Sequence, residues 1–112
     1  MSDVTIYHNP RCSKSRGAMA LLEERGVRSE VVRYLDTPPT EAELRQIISK
    51  LGIRSGELLR KGEAAAKGLD VNDDDAVIAA MLAHPILIER PIIVKGDRAV
   101  VGRPPKRVLE LL

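Results

Sequence analysis

Hydrophobic positions recur with two different periods along this chain, and the switches between them predict its elements. Val4 and Ile6 alternate with Thr5 and Tyr7 as in a short strand over residues 4–7, and His8-Asn9-Pro10 supplies the turn that stops it. From residue 13 to about 25, Ala18, Leu21 and Leu22 recur at helical spacing, with Gly26 as the terminator. Val31 and Val32 mark a second strand over residues 30–34, broken by Asp36-Thr37-Pro38-Pro39. Thr40 stands three residues before Glu43, the spacing of a capping box, ahead of an apolar stripe of Leu44, Ile47, Ile48 and Leu51 that Gly52 closes. Residues 55–61 read as a short helix, and residues 62–68 show no clear period. Asp73-Asp74-Asp75 precede a helix carrying Val77, Ile78, Met81 and Leu82, where acidic residues suit the positive end of the helix dipole. Beyond His84-Pro85, the runs 90–94 and 99–101 flank a turn at Gly96-Asp97 and predict a hairpin. Pro104-Pro105 then open a terminal helix with Val108, Leu109 and Leu112 on one face.

The order is therefore βαβ, then helices, then ββα. A helical crossover makes the first two strands parallel and a hairpin makes the last two antiparallel, so the expectation is an α/β fold with one mixed sheet flanked by helices. At 112 residues and 44% hydrophobic content, the chain suits one compact domain over 1–112, with a helical insertion at about 40–84. The core is aliphatic, since Tyr7 and Tyr34 are the only aromatic residues, and base stacking on aromatic platforms finds no support. Eighteen basic residues are interspersed with sixteen acidic ones, a balance that implies neither nucleic-acid nor membrane attraction. The basic and apolar segments of a secretory signal are missing, and no apolar run approaches membrane-spanning length. The expected setting is cytoplasmic and reducing.

One cysteine forms no internal disulfide, and Cys12 with His8 and His84 is too small a set for a structural zinc site, so no metal is expected. Cys12 falls at the predicted start of the first helix. Thiols react as thiolates, and unpaired amides at a helix N-terminus favour that anion. Arg11, Lys14 and Arg16 add positive charge nearby, and Ser13 and Ser15 offer hydroxyl donors to sulfur or to a bound anion. An isolated cysteine is ordinarily a small buried hydrophobe. These charged and polar neighbours argue instead for a reactive thiol. His8 either orients the loop or stabilises the thiolate, its plain alternative being a local hydrogen-bonding role. Spacing separates two chemistries. A cysteine-dependent phosphatase loop has five residues between cysteine and arginine, whereas three separate Cys12 from Arg16, and Ser15 fills the second position of a Cys-x-x-Cys dithiol. Any disulfide cycle at Cys12 needs an external thiol.

The segment Tyr7-His8-Asn9-Pro10-Arg11-Cys12-Ser13-Lys14-Ser15-Arg16 resembles the active-site segment of the glutaredoxin-coupled arsenate reductase family. Leu58-Leu59-Arg60-Lys61, the run from His84-Pro85 through Glu89-Arg90-Pro91 to Val94, and Gly102-Arg103-Pro104 resemble later signatures of that family in the same order. The basic Arg11, Ser13 and Lys14 place the resemblance nearer to a less characterised branch than to the best-known arsenate-resistance enzymes.

The resemblance implies a thioredoxin-like fold, βαβ–(helical insertion)–ββα, and a cytoplasmic enzyme of arsenic detoxification. Cys12 would be the catalytic nucleophile, Arg60, Arg90 and Arg103 would bind the substrate, and His8, Ser15 and Pro91 would support the site. Pro91 matches the position where such folds place a cis-proline facing the cysteine. Guanidiniums suit a tetrahedral oxyanion because they present paired, charge-assisted donors. Taken singly, Arg60, Arg90 and Arg103 read as surface charges. The implied reaction is reduction of arsenate to arsenite through a covalent Cys12 intermediate, with glutathione as reducing co-substrate, glutaredoxin as partner and no tightly bound cofactor. Alternatives are a thiol reductase acting on another oxyanion or a glutathionylated substrate, and a non-enzymatic regulator that binds RNA polymerase. Those regulators commonly carry the second cysteine that Ser15 replaces.

Overall fold

Four short strands, each of four residues, build the sheet that carries the candidate site. The computed structural model describes residues 2–112. β1 (Val4–Tyr7) pairs in parallel with β2 (Ser29–Val32) and antiparallel with β3 (Ile92–Lys95), which pairs antiparallel with β4 (Arg98–Val101). The sheet order is β2-β1-β3-β4, the mixed α/β arrangement that the βαβ and hairpin units predict. Register aligns Ile6 with Ile93 and Ile93 with Val100, so one face of three adjacent strands is continuously apolar. Helix α1 (Ser13–Glu24) contributes Ala18 and Leu22 to that core, and the C-terminal segment contributes Val108 and Leu111.

The chain divides into two compact units. One comprises the chain up to Thr37 together with Arg90–Leu112, and the other is Pro38–Glu89. The second unit contains α2 (Glu41–Leu51), α3 (Ser55–Leu58), α4 (Asp74–Ala83) and single 3₁₀ turns at Ala64–Ala66 and Pro85–Leu87. Thr40 and Glu43 form the capping box: Thr40 Oγ1 accepts from Glu43 N, and Glu43 Oε1 accepts from Thr40 N. Gly52 ends α2 at φ +67°, a conformation costly for residues with a Cβ. Asp73 caps α4 by accepting from Ala76 N. Leu44, Ile47, Leu58, Val77, Met81 and Leu87 are buried. Among the described residues, no helix is long and apolar enough to cross a membrane.

The structure departs from the expected elements in three places. β2 ends at Val32, because Arg33 O accepts from both Asp36 N and Thr37 N and turns the chain there, which leaves Tyr34 buried beyond the strand. The helix expected over 55–61 ends at Leu58, because Leu59 is extended and forms an isolated bridge with Ile88. The last element, Pro105–Leu111, is a 3₁₀ helix. Its buried residues are Val108 and Leu111, three apart as a period of about 3.0 requires, and Leu112 is exposed.

Candidate active site

Cys12 is the N-cap of α1, with extended backbone at φ −94° and ψ 122° and no capping bond from its side chain. Its own amide donates to Asn9 O, and its carbonyl accepts from Arg16 N. The side chain is half-buried, so the sulfur is held by backbone geometry at the head of the helix and remains reachable.

The loop before Cys12 is braced from below. Ser15, fully buried on the first turn of α1, accepts through Oγ from Asn9 N at 3.1 Å and lies 2.6 Å from His8 Nδ1. The hydroxyl has two lone pairs and one proton, so Oγ takes the Asn9 donor and still bonds Nδ1, with the direction of that second bond set by the imidazole tautomer. Asn9 Oδ1 accepts from Arg11 N at 3.0 Å, and Arg16 Nη1 donates to Pro10 O at 2.9 Å. Composition singled out neither Asn9 nor this role of Arg16. The Asn-Pro turn signal was the visible hint.

Burial, reinforced by the positive charges of Arg33 and Arg16, holds His8 below the ordinary histidine value of 6.5. On acidification the unfolded chain therefore takes up the His8 proton first. The stability linked to this group is present above pH 6.5 and is lost as pH falls from there through the lower folded value. Urea midpoints measured from pH 7.5 to 5 should fall in the wild type and fall less in His8→Gln. Asp3, Glu43 and Asp74, all held below ordinary carboxylate values by hydrogen bonds, make their contribution at lower pH and leave this window to His8.

Of the three predicted arginines, the structure sets Arg103 beside the cysteine: Nη1 lies 3.9 Å from Cys12 Sγ and donates to Arg90 O at 3.3 Å. Arg90 presents Nε and Nη1 in buried positions without a hydrogen-bond partner. Buried guanidinium nitrogens ordinarily find acceptors, so this side chain has donors to offer an anion. Pro91 follows Arg90 through a cis peptide bond, and Arg103-Pro104 is also cis. Gly102 N donates to Pro91 O at 2.8 Å, and a Cβ on Gly102 would meet Pro91 Cγ at 2.9 Å. Glycine thus lets the backbone that bears Arg103 lie directly against Pro91. Arg60 belongs to the second unit, where it pairs with Glu63 at 3.5 Å and with Glu89 at 3.7 Å. Among the described residues, no group of three or more metal-ligating side chains is placed to hold a metal ion.

The class is a mixed α/β sheet that carries one thiol at the head of its first helix. Within that class the chain belongs to the ArsC family, whose model matches residues 7–111. It is 46% identical to the arsenate reductase of Neisseria meningitidis serogroup A, with both chains covered in full. It is 42% identical to an arsenate reductase of Escherichia coli, covering 100% of this chain and 82% of that one. Among solved structures it is similar to the arsenate reductase from Vibrio cholerae, with a TM-score of 0.93, 46% identity and coverage of 99% and 98% of the two chains.

Proposed function

We propose that this protein reduces arsenate to arsenite, with Cys12 as nucleophile, glutathione as co-substrate and glutaredoxin as the regenerating partner. The observation that carries the reading is Arg103 Nη1 standing 3.9 Å from Cys12 Sγ at the head of α1. A guanidinium there donates to the sulfur and offers a donor to an oxyanion approaching it. Arg90 adds two buried donors with no hydrogen-bond partner of their own. Full-length similarity to proteins named arsenate reductase supports arsenate as that oxyanion.

In this reading the Cys12 thiolate attacks arsenic(V). The sulfur–arsenic bond forms and one arsenate oxygen leaves, protonated, as water. The chain has a single cysteine, so a second thiol must come from outside. The sulfur of glutathione attacks Cys12 Sγ and a disulfide forms. The sulfur–arsenic bond breaks with its electron pair remaining on arsenic, which departs as arsenite. A glutaredoxin thiolate then takes the glutathionyl group and returns Cys12 as thiolate. Arg90 and Arg103 hold the oxygens through the first two steps, and the braced loop keeps Cys12 at the helix head.

NADPH consumption coupled through glutathione reductase, with glutathione and glutaredoxin present, tests this. Addition of arsenate to the folded protein should start turnover. A rate that does not respond to arsenate, with an active control enzyme in the same assay, would sink the reading.

A further inference from the structure

The active-site loop has a second side. A cavity of about 290 Å³ lies between residues 8–11 and the turn that follows β2, with Arg11, Arg33, Leu35 and Asp36 on its wall. It is lodged within the first unit and is continuous in sequence with the cysteine, because Arg11 immediately precedes Cys12. Two features distinguish it from an ordinary surface hollow. Neither the Arg11 nor the Arg33 guanidinium has an ion-pair or hydrogen-bond partner among the described residues, while most other arginines of the chain are paired. The backbones that carry them are nonetheless fixed: Arg11 N donates to Asn9 Oδ1, and Arg33 O accepts two amides of the turn. Leu35, also on the wall, is a large hydrophobic residue at 40% exposure.

Two guanidiniums, one carboxylate and an apolar patch match a small peptide with two carboxylates, one ammonium and an aliphatic backbone. Glutathione is such a peptide. Fully extended, three residues span about 10 Å, and neighbouring Cα atoms lie about 3.8 Å apart. Arg11 is on the cavity wall and Cys12 is the next residue, so a tripeptide seated there lies within its own length of the Cys12 backbone. We infer that this cavity is the seat of the peptide thiol, with Arg11 and Arg33 taking its two carboxylates and Asp36 its ammonium. The inference rests on the thiol-dependent reduction proposed above and adds where the co-substrate binds. It places thiol and oxyanion on separate arginines: Arg11 and Arg33 for the first, Arg90 and Arg103 for the second.

Calorimetric titration with S-methylglutathione, which cannot react, measures the seat without any turnover. Wild type should bind it, and Arg33→Glu and Arg11→Glu should each weaken binding about tenfold, the loss expected for a charge-assisted hydrogen bond. Both residues are exposed, so these variants are expected to fold. In steady state the KM for glutathione should rise about tenfold in Arg33→Glu while the KM for arsenate stays within about twofold. No binding by the wild type, or equal binding by wild type and both variants, overturns the inference. A protein inactive on arsenate that still binds the probe through Arg33 keeps this seat and sinks the arsenate reading. An active protein whose probe affinity ignores both arginines does the reverse.

Discussion

Cys12→Ser is expected to abolish arsenate-dependent NADPH consumption, a loss of about 10⁴-fold or more that reaches the assay background. The size follows from chemistry. A serine hydroxyl is scarcely ionised at neutral pH, and its oxygen cannot accept a second thiol to form the disulfide that delivers two electrons to arsenic. The same substitution should leave the protein as stable as before or more so. Cys12 is an N-cap residue in extended conformation whose side chain makes no capping bond, and serine is among the preferred caps because its hydroxyl accepts an amide of the first turn. The urea midpoint should therefore correspond to a gain of about 0.5–1 kcal/mol. Loss of activity with gain of stability is a signature that a structural role for the sulfur cannot produce. A variant that kept turnover would remove Cys12 from the reaction, and one that lost stability would make the cysteine part of the core.

Why the cysteine was legible and its neighbours less so follows from sequence distance. A strand, a turn with Asn9 and Pro10, and a helix at Ser13 are local patterns, and they put Cys12 at the helix head without reference to the rest of the chain. The Thr40–Glu43 box and the Gly52 terminator are local in the same way. Arg103 stands 91 positions from Cys12, and the hairpin of β3 and β4 has to fold back along β1 to bring it there. Periodicity carries no record of that approach, so only the likeness of whole motifs singled out Arg103. Gly102 bridges the two scales. A glycine at a strand end is visible, but its reason, contact with Pro91, is tertiary. Tyr34 misled in the opposite direction. An aromatic after two valines reads as strand, and two backbone bonds to Arg33 O override it. At the C-terminus, Val108, Leu109 and Leu112 fit a helical stripe, yet the buried pair is Val108 and Leu111 on a 3₁₀ helix.

Arg90 and Arg103 should separate by what each one touches. Arg103 stands beside the sulfur and Arg90 offers buried nitrogens without partners, so the reading gives them different tasks. Arg103→Ala is expected to lower kcat/KM for arsenate about 10²- to 10³-fold, the loss typical of removing one donor aimed at developing charge. It should also slow alkylation of Cys12 by iodoacetamide in the absence of substrate, because the guanidinium that contacts the sulfur is gone. Arg103→Lys keeps the charge but loses the planar guanidinium, whose Nη1 donates to both Sγ and the Arg90 carbonyl, and with it the paired geometry that suits an oxyanion, so it should recover the alkylation rate more fully than kcat/KM. Arg90→Ala should raise the KM for arsenate and leave alkylation nearly unchanged, since its donors serve only the bound anion. If both alanine variants slowed alkylation equally, the cause would be a shift of the loop and not the identity of either side chain. An Arg103→Ala protein with kcat/KM within about threefold of wild type would show that the 3.9 Å approach to the sulfur has no part in the reaction.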